Sequence, residues 1–431
     1  MWRLLYSVLL CAALPGILAK LWWRGFREPD YRDRMGERFG FFREEIDGRG
    51  REVIWVHAVS MGETRAAALL VRTLSEQFPA SRILVTQMTA TGRQAAIELF
   101  SGLPKATIAW LPYDYPFAVG RFIKQFRPRV AILLETEIWP NLVLGLKKAG
   151  VPIMLANARM SEKSARGYGR LELLFREVFE ALDAVLAQSE SDLQRLLALG
   201  VRPSVTTISG NLKFDVASGK SPALVTAIRN RIGARPIFLA ASTRDGEEAL
   251  ILDALANAER TGKGMPPGTL VVIVPRHPQR FAAVAELLRS RSVSFVRKSS
   301  DKYVPGECRV LLGDSIGEMA AYYGIADCAF VGGSLLPLGG QNFIEACAAG
   351  VPVLIGPHTF NFSEAADLAI AAGAAMRITS PEALVDMAAE LLVDPDRRRK
   401  VGQAGVAFCR QHIGATARTV AVVNQLMRTK P

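Results

Sequence analysis

The feature that most constrains this chain is a regular alternation of short apolar runs with helical patterns. The first run, residues 53–56, is followed by a polar turn and then by a helical pattern that starts at Glu63. Such a run is typical of a strand buried on both faces, and Gly62 allows the backbone to turn tightly into the helix. The alternation continues to residue 208 and starts again at residue 236. It predicts an α/β protein with two Rossmann-like, doubly wound units, each built on a parallel sheet.

Length and composition agree with two domains and restrict the function. The chain has 431 residues, of which 50% are hydrophobic, and a net charge of +12. The length predicts at least two domains, and the basic excess favours an anionic partner. The five cysteines are scattered without a CxxC motif, which fits a reducing compartment and argues against disulfides or a zinc site. We predict a first domain at residues 25–214, a second at 215–431 and a small polar linker at 216–221.

The amino-terminal segment is a candidate membrane anchor. Residues 4–19 carry no charge, and as a helix they would be roughly 24 Å long, against roughly 30 Å for the hydrocarbon core. Residues 20–23 extend this segment, because a lysine can snorkel and tryptophans suit the interface. A cleavable signal peptide is the alternative, but the basic stretch at 24–51 favours a retained anchor, acidic lipids and a cytoplasmic body. We assign residues 1–24 to an anchor that either spans the bilayer or lies in one leaflet.

Carboxylates follow two strands of the first half. Glu63, Glu135 and Glu137 would lie near one sheet edge, where open α/β sheets bind ligands. Glu63 can serve as a general base or simply complement a positive helix end. For Glu135 a functional and a structural role are both open, whereas Glu137 is better explained as a cap of the turn at Trp139. Lys213 is either solvated or a cation for a phosphate or carboxylate. No Asp-x-Asp pair or suitable histidine accompanies the acidic residues, so we expect no metal site.

Glycine-rich turns characterise the second half. Backbone N–H groups at the helix starts that follow such turns bind phosphate, although loop flexibility is the alternative explanation. Arg276 would supply a bidentate cation, and Glu345 could accept hydrogen bonds from ribose hydroxyls. His277 and His358 can equally be packed structural residues. Neither GxxxxGK[ST] nor a GxGxxG after the first strand of either half is present, which disfavours a P-loop ATPase or a nicotinamide enzyme.

Ten short motifs occur here in one order. They are HAVSMGE (57–63), LPYD (111–114), ETEIWPN (135–141), NARMSEKS (157–164), GNLKFD (210–215), PRHP (275–278), GDSIGEM (313–319), FVGGS (330–334), GGQNFIEA (339–346) and GPHTFNF (356–362). Together they resemble the 3-deoxy-D-manno-octulosonic acid (Kdo) transferases of Gram-negative lipopolysaccharide synthesis. Each motif alone is weak, whereas ten in register, over nearly the whole chain, are specific.

The resemblance implies a fold and a reaction. The fold is GT-B, in which two Rossmann-like domains face a cleft and the terminal helices often pack back on the first domain. The reaction is the inverting transfer of Kdo from CMP-Kdo to a lipid A precursor (lipid IVA), without a metal or other cofactor. The resemblance also implies that the enzyme is anchored in the inner membrane with its catalytic domains on the cytoplasmic side.

The resemblance also assigns roles to residues. Glu63 matches the proton acceptor of the family, and Glu135 and Lys213 match residues thought to stabilise the transition state. The CMP-binding positions of the family match Arg276, His277, Ile316, Gly317, Glu318, Asn342, Phe343, Ile344 and Glu345. One departure is Gln341, which stands where the family usually has histidine, so we assign this side chain no role.

Other functions remain as alternatives. Another GT-B transferase or an epimerase that uses a UDP-sugar would have a similar architecture. A non-catalytic membrane scaffold that binds nucleotide would leave Glu63 and Glu135 without a role. A nucleic-acid partner is disfavoured, because no basic patch with interleaved aromatic residues is present.

Overall fold

The computed structural model describes residues 2–42, 52–103, 105–215 and 222–428. Within them the chain forms two units. One contains the residues up to Asp215 together with those from Ile413, and the other ends at His412. The predicted linker at 216–221 lies outside the described residues, as does part of the basic stretch, residues 43–51.

A long apolar helix, α1 (Trp2–Arg27), opens the first unit. Within the described ranges it is the one helix long and apolar enough to cross a membrane. Its candidate span, Trp2–Phe26, has a mean hydropathy of 2.0. By length and composition, α1 therefore meets the requirement for a membrane anchor.

The first unit contains a parallel sheet. Its strands are β1 (Val53–His57), β2 (Arg82–Gln87), β3 (Ala106–Trp110), β4 (Pro128–Leu134), β5 (Ile153–Ala158), β6 (Ala184–Ala187) and β7 (Thr206–Ile208). The seven strands lie in the order β3-β2-β1-β4-β5-β6-β7. Strand β1 is buried along its whole length. Its residues alternate between two cores, because Trp55 packs with Phe122 on one face, whereas Ile54 and Val56 pack with Leu70 on the other.

Helices cover both faces of this sheet. They are α2 (Met61–Ala66), α3 (Ala68–Gln77), α4 (Ala90–Phe100), α5 (Pro116–Phe126), α6 (Pro140–Lys148), α7 (Glu162–Arg170), α8 (Glu172–Glu180) and α9 (Glu190–Ala198). The single helix expected after Glu63 is divided into α2 and α3 at Ala67, a turn residue (φ −77°, ψ −6°) that ends α2 and precedes α3. The alternation of the sequence thus predicts the elements better than their boundaries.

The second unit repeats the architecture. Its elements are α10 (Pro222–Ile232), β8 (Ile237–Thr243), α11 (Glu247–Arg260), β9 (Leu270–Pro275), α12 (Phe281–Ser290), β10 (Phe295–Arg297), β11 (Val310–Leu312), α13 (Met319–Ile325), β12 (Cys328–Val331), α14 (Ile344–Ala349), β13 (Val353–Ile355), α15 (Ser363–Ala371), β14 (Ala375–Arg377), α16 (Pro381–Val393) and α17 (Pro395–His412). Its seven strands are again parallel and lie in the order β10-β11-β9-β8-β12-β13-β14. Both units are therefore doubly wound α/β sheets, as the sequence predicts.

The last helix, α18 (Ala415–Arg428), belongs to the first unit. The Asp215 carboxylate accepts hydrogen bonds from the N–H groups of Gly414 (2.6 Å) and Thr416 at its start. A carboxylate at this position satisfies unpaired N–H groups and complements the positive end of the helix. Val420 and Val423 then pack into the same core as Ile54. The carboxyl end of the chain thus completes a core that begins at β1.

Candidate functional site

The winding direction of the first sheet changes between β1 and β4, which lie side by side. Strands β2 and β3 extend the sheet on one side of this point, and β5 to β7 extend it on the other. Open α/β sheets bind ligands at the carboxyl ends of the strands at such a switch point. Glu63 follows β1 and Glu135 follows β4. The topology therefore brings both carboxylates to the position that favours a ligand site.

Hydrogen bonds fix the Glu63 carboxylate. Ser60 caps α2, because its hydroxyl accepts a hydrogen bond from the Glu63 N–H at 3.3 Å. The same hydroxyl donates to Glu63 Oε1 at 2.8 Å, and the Val59 N–H donates to Oε2 at 2.9 Å. Both carboxylate oxygens thus have a donor, and the side chain is oriented by its own loop.

The surroundings of Glu63 change its acidity. Burial, and after it the negative charge of Glu135, raises the pKa of Glu63 to about 7. The bonds from Val59 and Ser60 lower the pKa, and the charge of Glu137 raises it slightly. A carboxyl group with a pKa near the working pH is suited to general acid–base chemistry.

Glu135 forms an ion pair with Lys213. The Lys213 Nζ lies 3.7 Å from Glu135 Oε1, and each side chain is 19% exposed. The Glu135 backbone has φ +57°, in the left-handed region that non-glycine residues rarely adopt. Its N–H donates to the Ala156 carbonyl at 3.1 Å. Residues held in such a conformation are enriched at functional sites.

Three amide side chains position the turn that carries Lys213. The Asn157 Oδ1 accepts a hydrogen bond from the Leu212 N–H, and the Asn211 Oδ1 accepts one from the Lys213 N–H, both at 3.0 Å. Gln188 connects them, because its amide donates to the Asn157 carbonyl (2.9 Å) and accepts from Asn211 (2.8 Å). This network was not predicted from the sequence. The available signal was that Asn157 and Gln188 each stand at the end of a strand.

Two further residues of the motifs have structural surroundings. Glu137 Oε2 accepts a hydrogen bond from Trp139 Nε1 at 2.9 Å, which fits the turn-capping interpretation. His57 is fully buried, and its Nδ1 lies 2.8 Å from Thr86 Oγ1. Burial lowers the pKa of His57 to about 4, so the ring is neutral at pH 7.

The second sheet has a switch point between the adjacent strands β8 and β12. Glu247, at the start of α11, is fully buried there. Its carboxylate accepts N–H bonds from Gly333 (2.6 Å), Ser334 (3.0 Å), Leu335 (3.0 Å) and Arg244 (2.8 Å). Glu247 therefore fixes the glycine-rich turn after β12, although the sequence reasoning did not single it out.

A cationic cluster surrounds that turn. Arg276 Nε donates to Gln341 Oε1 at 3.0 Å. Burial lowers the pKa of His277, and the charges of Arg244 and Arg276 lower it further. Gly333 has φ +70°, a left-handed conformation that favours glycine, and a Cβ atom there would lie 3.2 Å from Gln341 Nε2. Gln341, to which we assigned no role, thus orients Arg276.

The predicted position 316–318 forms the turn after β11. The Glu318 carboxylate accepts hydrogen bonds from Lys298 Nζ at 2.6 Å and from the Ser315 hydroxyl. Ile316 is 70% exposed, and Gly317 has φ +80° with open space beside it. The turn therefore presents an apolar side chain and free space at the carboxyl edge of the sheet.

The predicted position 342–345 follows β12 and enters α14. Asn342 Nδ2 donates to Glu345 Oε1 at 3.0 Å, and Asn342 Oδ1 accepts from the Ile344 N–H at 3.2 Å. The side chains of Phe343 and Ile344 are buried in the core of the unit. A ligand at this edge can therefore meet these two residues only through their main chain.

The predicted residues thus form two groups, one in each unit. Glu63, Glu135 and Lys213 meet at the switch point of the first sheet. All nine predicted CMP-binding positions lie after β9, β11 or β12, at the carboxyl edge of the second sheet. Within the described ranges, no group of three or more His, Cys, Asp and Glu side chains is placed to hold a metal ion.

Comparison with known proteins identifies the family. A model of the 3-deoxy-D-manno-octulosonic-acid transferases matches residues 33–216. A 3-deoxy-D-manno-octulosonic acid transferase of Bordetella pertussis is 42% identical, over 95% of this chain and 96% of the relative. The chain belongs to the Kdo transferase family. A Kdo transferase of Haemophilus influenzae is 35% identical, over 97% of both chains. This chain is therefore a glycosyltransferase of the Kdo transferase family, as the ten motifs predict.

A solved structure supports the fold class of this Kdo transferase. A putative UDP-N-acetylglucosamine 2-epimerase from Listeria monocytogenes has a TM-score of 0.58, over 88% of this chain and 98% of that one. The two sequences are 17% identical, so the likeness concerns the fold alone. Together with the two seven-stranded parallel sheets, it confirms the predicted GT-B class.

Proposed function

We propose that this chain transfers Kdo from CMP-Kdo to a lipid A precursor, lipid IVA, with inversion at the anomeric carbon. The observation that carries the proposal is the Glu63 carboxylate. It is oriented by Val59 and Ser60, its pKa is raised to about 7, and it stands at a switch point in a member of the Kdo transferase family.

In the proposed reaction Glu63 is the general base. An inverting transfer requires removal of a proton from the acceptor hydroxyl on the face opposite the departing CMP. A carboxyl group with a pKa near 7 is about half ionised at neutral pH and can accept that proton, which contributes roughly 10²–10⁴-fold to the rate. The Val59 and Ser60 donors hold the carboxylate in one orientation.

Glu135 and Lys213 have a second role in this proposal. Lys213 supplies positive charge for the carboxylate of the sugar acid or for the departing phosphate. Its ion pair holds the ammonium at Glu135, and the Glu135 charge maintains the raised pKa of Glu63. The pair therefore combines charge stabilisation with tuning of the base.

The edge of the second unit is proposed to bind CMP. Arg276, which Gln341 orients, and His277 lie next to the turn that Glu247 fixes, and a guanidinium with main-chain N–H groups is a suitable phosphate site. Ile316, Gly317 and Glu318, together with Asn342 and Glu345, complete the proposed nucleotide site. Phe343 and Ile344 contribute their main chain. CMP leaves as a single phosphate, so we propose that no divalent metal is required.

The proposed enzyme works at the inner membrane, on its cytoplasmic side. Helix α1 would hold the first unit beside the lipid acceptor, whose phosphates suit a chain with a net charge of +12.

A transfer assay tests the proposal. The purified full chain is incubated with CMP-Kdo and lipid IVA, and the products are resolved by mass spectrometry. We expect Glu63→Ala to lose at least about 100-fold in turnover and to keep its affinity for CMP in calorimetry. Glu98→Ala, which removes an exposed carboxylate from α4, is the matched control and should retain full activity.

Three results would contradict the proposal. Near-normal turnover by Glu63→Ala would exclude Glu63 as the base. Stronger protection from thermal unfolding by UDP than by CMP would assign a different donor. Loss of activity in excess EDTA, restored by a divalent cation, would exclude the metal-independent reaction.

A further inference from the structure

Polar side chains connect the first turns of α1 to the first unit. Arg3 Nε donates to Asn141 Oδ1 at 2.9 Å, and the Asn141 amide donates to the Ser7 hydroxyl at 3.1 Å. The Tyr6 hydroxyl donates to Asp114 Oδ2 at 3.0 Å. Asp114 and Asn141 are themselves buried, and Asp114 also accepts N–H bonds from Asn141 and Leu142 at the start of α6. The amino end of α1 is thus part of a buried polar network.

The middle and the end of α1 contact the same unit. The Tyr115 hydroxyl donates to the Leu10 carbonyl at 3.0 Å. Leu21 is 3% exposed and packs in a small core with Tyr31, Ala90 and Trp110. The shielded positions of α1 are 3, 6, 7, 10, 14, 17, 21 and 25, whereas its other positions from 2 to 26 are exposed. This spacing describes one stripe, so α1 lies against the unit along its whole length.

These contacts conflict with a helix that crosses the bilayer. From Arg3 to Leu21 the contacts cover roughly 27 Å of helix axis, at about 1.5 Å per residue. A spanning α1 would carry Asp114, Asn141 and Tyr115 into the hydrocarbon, where a carboxylate is costly. Otherwise it would have to break every contact in the stripe.

We propose that α1 lies in the plane of one membrane leaflet, with both ends on the same side of the bilayer as the first unit. The exposed face of α1 supplies the surface that would contact the lipid. The exposed residues of that face and its flanks include Trp2, Leu4, Leu5, Val8, Leu9, Leu18, Trp22, Trp23 and Phe26. Because the unit holds the opposite face of α1, this apolar face can sink roughly 5–10 Å into the headgroup and acyl boundary, as the apolar faces of interfacial helices do.

The surface continues beyond α1. Phe117, half-exposed at the start of α5, stacks on Tyr115 with ring centroids 5.5 Å apart. Leu171 and Leu173 are exposed where α8 begins, and α8 lies against α1. Lys20 and Arg24 are exposed beside the tryptophans. Apolar residues flanked by cations fit acidic phospholipid, which we therefore assign as the occupant of this surface.

Cys11 provides a depth probe on the exposed face. It is the exposed cysteine of the chain, whereas Cys308, Cys328, Cys347 and Cys409 are buried. A maleimide fluorophore on Cys11 of the folded full chain would be measured in phosphatidylglycerol and phosphatidylethanolamine vesicles. We expect stronger quenching by a lipid quencher near the glycerol backbone than by one near the acyl methyl end. Cys11→Ser is the control and should not be labelled.

Other outcomes of this measurement would overturn the proposal. Stronger quenching at the acyl methyl end would place mid-helix Cys11 at the bilayer centre, as a spanning helix requires. An unquenched fluorophore would exclude lipid as the occupant. If light scattering then showed a dimer, the face would belong to a second copy.

A sidedness experiment gives an independent result. A protease-cleavable tag is placed before residue 1, and in a matched chain after residue 431, in inverted inner-membrane vesicles. We expect protease to remove both tags from intact vesicles. If the amino-terminal tag were protected until detergent was added while the carboxyl-terminal tag was cut, α1 would span the membrane. Neither experiment depends on Kdo transfer.

Discussion

Replacing Glu63 by glutamine should stabilise the protein in a pH-dependent way while it removes activity. The pKa of Glu63 is raised from 4.5 to about 7, chiefly by burial. A carboxyl group whose pKa is raised on folding stabilises the folded state only while it is protonated. This contribution is lost as the pH rises through the folded-state pKa, and the ionised carboxylate then carries a penalty. At about 1.36 kcal/mol per pH unit, the penalty for the ionised carboxylate reaches about 3 kcal/mol at pH 8. Partial exposure reduces the expected gain to about 1–2 kcal/mol.

Glutamine tests this reasoning because it keeps the local bonds. Its carbonyl can accept from the Val59 N–H, and its amide can donate to the Ser60 hydroxyl, in place of the two bonds that Glu63 makes. For a unit of this size, 1 kcal/mol corresponds to about 2–4 °C in Tm. We therefore expect Glu63→Gln to melt about 4 °C above the wild type at pH 8 and at about the same temperature at pH 5.

Differential scanning fluorimetry in mild detergent at both pH values is the measurement. Glu98→Gln, an exposed carboxylate on α4, is the control and should show no difference at either pH. If Glu63→Gln were destabilised equally at pH 5 and pH 8, the carboxylate would contribute through its hydrogen bonds rather than through a burial penalty. Such a result would exclude a raised pKa of Glu63 in the folded protein.

Three further predictions concern the neighbouring groups. The rate of transfer should rise with pH, with a midpoint near pH 7. Glu137→Gln should move that midpoint to lower pH, because the Glu137 charge raises the pKa of Glu63. An unmoved midpoint would exclude an effect of Glu137 on the acidity of Glu63. Lys213→Met, which removes the partner 3.7 Å from Glu135, should lower kcat by roughly 10²-fold, and a kcat within twofold of the wild type would exclude charge stabilisation by Lys213. Glu247→Gln should cost about 2–4 kcal/mol of stability, because the glutamine amide would face main-chain N–H groups, and it should weaken CMP binding in calorimetry. Glu286→Gln, on the exposed side of α12, is the control. Equal stability and CMP affinity of the two variants would contradict the role of Glu247.

The fold was predictable because its signals are local. Strands β1, β2, β4 and β5 are short apolar runs, and nearly all their residues are buried by helices whose own patterns lie next to them in the sequence. The order of the strands is not a local property, and the meeting of Glu63 with Glu135 depends on it. The resemblance to Kdo transferases indicated these residues, whereas the adjacency of β1 and β4 gives the physical reason.

The parts that could not be predicted depend on distant contacts. Tyr6 meets Asp114 across 108 positions, and Glu247 meets Gly333 across 86. Neither pair leaves a periodic pattern in the sequence. The left-handed backbone of Glu135 was also unpredictable, because a residue type that rarely adopts this conformation carries no local signal for it.

The return of α18 to the first unit has a consequence for biosynthesis. Ala415, Val420 and Val423 emerge from the ribosome last, yet they cover the sheet face that carries Ile54 and Val56. At about 5–20 residues per second, translation of the whole second unit takes roughly 10–40 s. Throughout that interval the nascent chain exposes the part of this face over β4 and β5 that α18 contacts. A message truncated before codon 413 would yield a chain whose first unit can never close, and such a product should be a substrate for chaperones and proteases.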